Sequence, residues 1–331
     1  MMVDRYGRVA ASLRLSVTDR CNLRCSYCMP EEGLDWLSRS DTLTDDELVR
    51  VVRVAVGLGI RDVRLTGGEP LLRRGIIGLV ARLAALPDRP VLSLTTNGIG
   101  LARTAAELAA AGLDRVNVSL DTVDPATFAA MTRRDRLADV LAGLAAAREA
   151  GLSPVKINAV LLRGVNDGQA ADLVGWALAE GYQPRFIEQM PLDAQHAWER
   201  SEMVTADETL ALLRQDFDVE VDQSALRGSA PAERFVVSRG GVVLGTVGII
   251  ASVTRPFCGA CDRLRVTADG QVRNCLFARG ETDLRGALRS GAPDEALADI
   301  LRGSVAAKLP GHGIDEPGFL QPPRPMSAIG G

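Results

Sequence analysis

The sequence lacks the features of several common protein classes. No run in its 331 residues approaches the roughly eighteen apolar residues of a membrane-spanning helix. Its start, Met1-Met2-Val3-Asp4-Arg5, carries charge where an export signal needs an apolar core, so the expected location is the cytoplasm and no membrane association is expected. There is no surplus of positive charge: 38 basic residues against 42 acidic ones leave a net charge of −4. That balance argues against a general electrostatic grip on nucleic acid, and any anion site must be built from a few placed residues. A Walker-type glycine-lysine loop is missing, so a bound nucleotide would be a chemical substrate and not the cargo of a P-loop, and hydrolysis is not expected. Histidine is scarce, with only His196 and His312, so a cysteine-based zinc site would find little imidazole to complete it.

What is present is an ordinary globular composition, 47% hydrophobic and 24% charged, large enough for one sizeable domain with an appendage. Short apolar runs at 12–17, 62–66, 91–95, 115–120, 155–160 and 185–189 alternate with Ala-rich helical stretches. Thr44 with Glu47, and Thr104 with Glu107, have the spacing of capping boxes at helix starts. Six strand-helix units predict an α/β fold with a parallel sheet, an incomplete (β/α)6 barrel of TIM type whose chemistry sits on the loops after the strands. After about residue 195 the alternation stops. A helix over 206–215 and hairpin-like pieces at 234–237 and 241–250 predict a smaller, partly antiparallel extension, giving units of 1–195 and 196–331. The segment Gln321-Pro322-Pro323-Arg324-Pro325 excludes helix and central strand.

The six cysteines fall into two groups of three, Cys21, Cys25 and Cys28, then Cys258, Cys261 and Cys275. In a reducing compartment such grouping favours metal over disulfides. Three is the informative number, because a structural zinc site wants four ligands, whereas a 4Fe-4S cluster held by three cysteines keeps one iron open for a small molecule. The first group follows the first strand directly, at the mouth of the barrel. For the second, a Cys-x-x-Cys hairpin with a turn at Asp269-Gly270 leaves a zinc knuckle as an open alternative.

The spacing Cys-x-x-x-Cys-x-x-Cys, with Tyr27 before its last cysteine, resembles the signature of the radical S-adenosylmethionine (SAM) superfamily. The run Leu65-Thr66-Gly67-Gly68-Glu69-Pro70 is similar to that superfamily's glycine-rich element. The resemblance implies that SAM chelates the open iron of the first cluster and is cleaved to a 5′-deoxyadenosyl radical, with Tyr27 beside the adenine and Gly68, Ser119 and Met190 as further SAM contacts. With the Cys-x-x-Cys-x13-Cys set, the run Cys261-Asp-Arg-Leu-Arg265 and the end Gly330-Gly331, the chain resembles the GTP 3′,8-cyclase (MoaA) family from about Arg14 onward. That resemblance implies a lyase of molybdenum cofactor biosynthesis that makes 3′,8-cyclo-7,8-dihydro-GTP from GTP. It implies a second 4Fe-4S cluster whose open iron meets the guanine, and a glycine tail that enters the active site. It also implies an external one-electron donor of flavodoxin-like kind, possible homodimerisation, and cyclic pyranopterin monophosphate synthase as the next enzyme.

The residues independently ask for an anionic substrate. Arg14, Arg64 and Lys156 each interrupt an apolar strand, and strands covered on both faces leave only the lumen for a charge. Arg263 and Arg265 are two apart on a strand, hence on one face. These five, with Thr95 and Leu264, fall where the family binds GTP. Two rivals stand beside this reading: a radical SAM enzyme with an auxiliary cluster that modifies a peptide or protein, and a non-catalytic iron-sulfur or zinc interaction module.

Overall fold

The structure, a computed structural model, describes residues 1–225 and 227–330. The first six strands are β1 Ser12–Ser16, β2 Asp62–Thr66, β3 Val91–Thr96, β4 Arg115–Ser119, β5 Lys156–Val160 and β6 Gln183–Ile187. After them come β7 Asp218–Val221, β8 Glu233–Arg239, β9 Val242–Ile250, β10 Arg263–Val266, β11 Gln271–Arg273 and β12 Thr282–Asp283. Among the described residues these twelve strands form one sheet in the order β12-β11-β10-β1-β2-β3-β4-β5-β6-β9-β8-β7.

Strands β1 to β6 are parallel, joined by connections that carry helices such as Asp45–Gly57 and Ala170–Ala179. The C-terminal segment adds more than an appendage. Its β10 pairs in parallel with β1, and its β9 pairs in parallel with β6. Eight parallel strands therefore stand side by side, flanked by the antiparallel pieces β11-β12 and β8-β7. Arg14, Arg64, Arg185 and Arg265, drawn from β1, β2, β6 and β10, line one cavity, so the sheet curls around a lumen. Among the described residues β9 and β10 do not pair, and the barrel stays open there. The division at 195/196 falls in the connection that follows β6, where the sheet itself is unbroken.

Period-two alternation decides which side chains see the lumen. On β1, Leu13 and Leu15 are fully buried in the core while Ser12, Arg14 and Ser16 take the other face. The same parity sends Val63 and Leu65, Leu92 and Leu94, and Val116 and Val118 outward to the helices. Register then stacks the polar residues: Arg265, Arg14, Arg64, Ser93 and Arg115 lie opposite one another across five adjacent strands.

Thr44 and Glu47 form the capping box of the helix Asp45–Gly57, with reciprocal bonds of 3.2 and 2.7 Å. Thr104 does not cap. The helix begins earlier, at Leu101, because Gly98 and Gly100 take positive φ and let the chain turn in one step after β3, which places Thr104 inside the first turn. The helix near 206 is Ala206–Leu213, capped by Thr205 with Glu208. Gly240 and Gly241, both at positive φ, join β8 to β9. Residues 321–325 form no regular element and lead into a short helix, Met326–Ile329. Among the described residues no helix is long and apolar enough to cross a membrane.

Candidate active site

The first cysteine loop leaves β1 and is fastened from below by the turn after β2. Gly68 N–H donates to Thr18 O at 3.0 Å and Glu69 N–H to Arg20 O at 2.7 Å. A Cβ on Gly67 would strike the Thr18 carbonyl, and one on Gly68 the carbonyls of Asp19 and Arg20. These glycines thus admit the backbone of the cysteine loop itself, a role their sequence context does not disclose. Glu69, fully buried, accepts from Leu71 N (2.9 Å), Thr96 Oγ1 (2.8 Å) and Asn97 N (2.6 Å), and so ties the end of β3 to the same turn. Burial raises its pKa to about 7. Asn97 then reaches the loop, donating to Asn22 Oδ1 at 2.7 Å beside the Cys21 sulfur.

Cys21, Cys25 and Cys28 line a cavity with Tyr27, Gly68, Ser119 and Asp121. Tyr27 donates its hydroxyl to Asp121 Oδ2 at 2.8 Å, and Asp121 Oδ1 accepts from Val160 N at 2.9 Å. Burial raises Asp121 to about 6. Burial also pushes all three thiols up, Cys28 to about 12, and the sulfurs repel one another. Three adjoining thiols of this kind become thiolates only when a cation binds them.

The second triad lies across the lumen. Cys258, Cys261 and Cys275 line a cavity with Arg14, Arg64, Thr95, Arg263 and Arg265. This inner cavity meets the first at Thr95 and Met326, which line both. Met190 stands on the inner cavity and also on a small recess with Tyr27 and Cys28. Cys258 is pushed up by burial. Burial also raises Cys261, but the Lys308 ammonium and Arg263 guanidinium outweigh it and leave the thiol below its ordinary value. Among the described residues no three His, Cys, Asp or Glu side chains converge on a point that would hold a single ion. Three cysteines are the donor set that suits a 4Fe-4S cluster with one iron left open.

A third cavity of about 410 Å³ adjoins the inner one, lined by Arg14, Arg64, Arg115, Lys156, Arg185 and Arg263. Burial and mutual repulsion hold these cations down: Arg14 falls well below its usual value, Arg64 to about 9, Arg185 to about 10 and Lys156 to about 7. Arg265 falls to about 10, through burial and then Arg263. Asp62 is the acidic counterweight, paired with Arg115 and 3.9 Å from Arg14. Among the described residues, Arg14 Nη1, Asn158 Oδ1 and both side-chain polar atoms of Asn117 are buried and find no hydrogen-bond partner. Such a wall is built to meet polar, anionic matter.

Leu264, expected among the substrate contacts, points away. It alternates with Arg263 and Arg265, so its side chain is fully buried in the core opposite Leu13 and offers the lumen only backbone. Gly330 lies in the lumen, its carbonyl taking a 2.5 Å bond from Arg265 Nη1, while Ser16 Oγ donates to Ile329 O at 3.0 Å. Gly331 lies outside the described residues. The structure adds Asn97, Asp121, Arg185, Lys308 and Met326 to the residues singled out in the sequence. Arg185 carried a readable signal, a charge inside an apolar strand, hidden because β6 starts two residues before the run that the apolar pattern marks.

Comparison with known proteins agrees with this geometry. Residues 15–177 match the family model of the radical SAM superfamily, and residues 182–314 match that of Molybdenum Cofactor Synthesis C. The GTP 3′,8-cyclase of Streptomyces coelicolor is 64% identical to this chain over 332 residues, covering 100% of the chain and 96% of the relative. The chain belongs to the GTP 3′,8-cyclase family. A GTP 3′,8-cyclase of Mycolicibacterium smegmatis is 58% identical over 334 residues, covering 100% of the chain and 92% of the relative. Within this cyclase-family chain each matched region holds one cysteine triad, and both regions give strands to one sheet. Among solved structures, Streptococcus suis SuiB bound to S-adenosylmethionine superposes with a TM-score of 0.61 at 14% identity, covering 92% of this chain and 68% of that one, a likeness of fold alone.

Proposed function

We infer that this chain is a radical SAM lyase that converts GTP to 3′,8-cyclo-7,8-dihydro-GTP in molybdenum cofactor synthesis. The observation that carries the reading is the meeting of two cysteine triads on adjoining cavities, with a cationic chamber opening beside them. Cys21, Cys25 and Cys28 hold a 4Fe-4S cluster, and Cys258, Cys261 and Cys275 a second one. Held by Cys21, Cys25 and Cys28, the first cluster with SAM would supply radical chemistry, and the second, held by Cys258, Cys261 and Cys275, would serve to bind substrate.

The chain's own residues do the rest. Tyr27, Gly68 and Ser119 shape the SAM cavity, Met190 borders it from the recess shared with Tyr27 and Cys28, and the Tyr27–Asp121 bond fixes the ring that forms its wall. Arg14, Arg64, Lys156, Arg263 and Arg265, joined by Arg185, take the triphosphate, whose charge relieves their mutual repulsion, and Thr95 lies where the two cavities meet. Placement in the lumen brings the reacting carbons together. The reducing electron comes from an external flavodoxin-like donor, and the product passes to cyclic pyranopterin monophosphate synthase.

The test is incubation of the anaerobically reconstituted protein with SAM, dithionite and GTP, with identification of the nucleotide product. Cyclised nucleotide is expected. Unchanged GTP alongside released 5′-deoxyadenosine would move the assignment to a peptide-modifying enzyme. In the Arg265→Ala variant, SAM cleavage should persist while cyclised product disappears, and normal cyclisation would remove this arginine from the mechanism.

A further inference from the structure

The chain has two lysines among its 38 basic residues, and both are in this site. Lys156 faces the cationic chamber. Lys308, just past the helix Asp294–Ala306, has a different setting. It is 7% exposed, and its ammonium donates to Cys261 O at 2.9 Å, Arg263 O at 3.0 Å and Cys261 Sγ at 3.3 Å. All three donors are spent, two on carbonyls and one on sulfur. Among the described residues no carboxylate pairs with it. A buried ammonium beside Arg263, without an acidic partner, is strongly unfavourable unless an anion completes the site.

The first triad has more acidic surroundings. Arg24 Nη1 donates to Cys21 O at 2.9 Å, but carboxylates outnumber it, with Glu69 near Cys21, Asp121 near Cys25, and Asp121 and Asp193 near Cys28. Reduction adds a negative charge to an iron-sulfur cluster, so neighbouring cations favour it and neighbouring carboxylates oppose it, and hydrogen bonds to the sulfurs act in the same sense as cations.

We propose that Lys308 is the resident counter-ion of the second cluster, raising its reduction potential and, through the two carbonyl bonds, holding Cys261 and Arg263 at their stations. It acts as a positioning and tuning residue and touches no substrate. The inference rests on the assignment of an iron-sulfur cluster to the second triad, and the experiment separates the two.

A C21A/C25A/C28A chain, reconstituted anaerobically, should retain about four irons. Zinc or no iron there would overturn the second-cluster assignment itself, and the inference with it. With the iron present, redox titration followed by EPR should show Lys308→Met displaced to a more negative midpoint by at least about tenfold in the reduction equilibrium, about 59 mV for one electron. Lys308→Arg should recover most of that shift. An unmoved midpoint in Lys308→Met with its iron intact overturns the proposal. If Lys308→Met cannot hold iron, the scarcity of lysine supplies a second measurement on the unaltered residue. Labelling with ¹⁵N-lysine should give a ¹⁵N coupling to the reduced second cluster that persists in Lys156→Met, and absence of that coupling sinks the idea.

Discussion

Replacing Gly330 by alanine tests whether the C-terminal tail must dock for the cyclisation to occur. Gly330 sits at φ +88° and ψ 112°, a backbone conformation that residues with a Cβ rarely adopt. The added carbon would also collide with the hydroxyls of Ser16 and Thr66. Backbone strain of this kind costs on the order of 1–3 kcal/mol. Moving Ser16 aside breaks its bond to Ile329 O, about 1 kcal/mol more. A chain end can escape such a penalty by leaving, so the total of roughly 3 kcal/mol appears as undocking, a shift of about a hundredfold at 1.4 kcal/mol per tenfold. Global stability should then change little, because the barrel does not depend on the last residues. Hydrogen exchange read by mass spectrometry should show lost protection over residues 326–330, and product assays should show cyclised nucleotide falling while 5′-deoxyadenosine release continues, since Arg265 loses its acceptor at Gly330. Wild-type protection of the tail together with wild-type product formation would show that the tail need not be glycine to dock.

As a proposed triphosphate contact, Lys156 should make GTP affinity depend on pH. Its pKa is depressed to about 7 by burial and then by Arg185, Arg115 and Arg64, so below pH about 7 it is already charged and affinity should be level. Above that, each binding event must take up a proton, and affinity should fall by up to about tenfold per pH unit until the pKa of the complex is reached. Calorimetry in buffers of different ionisation enthalpy would show the uptake, and Lys156→Met should abolish it; an uptake that survives in that variant assigns the proton elsewhere. Gly68→Ala should push the carbonyls of Asp19 and Arg20 away and spoil the first cysteine loop, which metal analysis would detect as about four irons lost while the second triad stays loaded. Full iron content in that variant would show that the loop can shift without consequence.

Features that depend on neighbours along the chain were legible in the residues alone. Cys21, Cys25 and Cys28 lie within eight residues, so their spacing makes one loop whatever the rest does. The alternation in Ser12–Ser16 and Asp62–Thr66 assigns each side chain to a face, because the strand period is two. The same parity was available for Leu264, whose neighbours Arg263 and Arg265 already place it on the opposite face. The Thr44 capping box was likewise readable, being a bond across three residues.

Long-range packing set β9 and β10 on the two edges of the parallel sheet, since any exposed edge offers the same unpaired backbone groups to an incoming strand. It alone brought Lys308 to Cys261, 47 residues away, and Gly330 to Arg265, 65 residues away. No local pattern specifies such contacts, because the free energy that selects them comes from burying whole elements against one another and appears only when the chain has closed around its lumen.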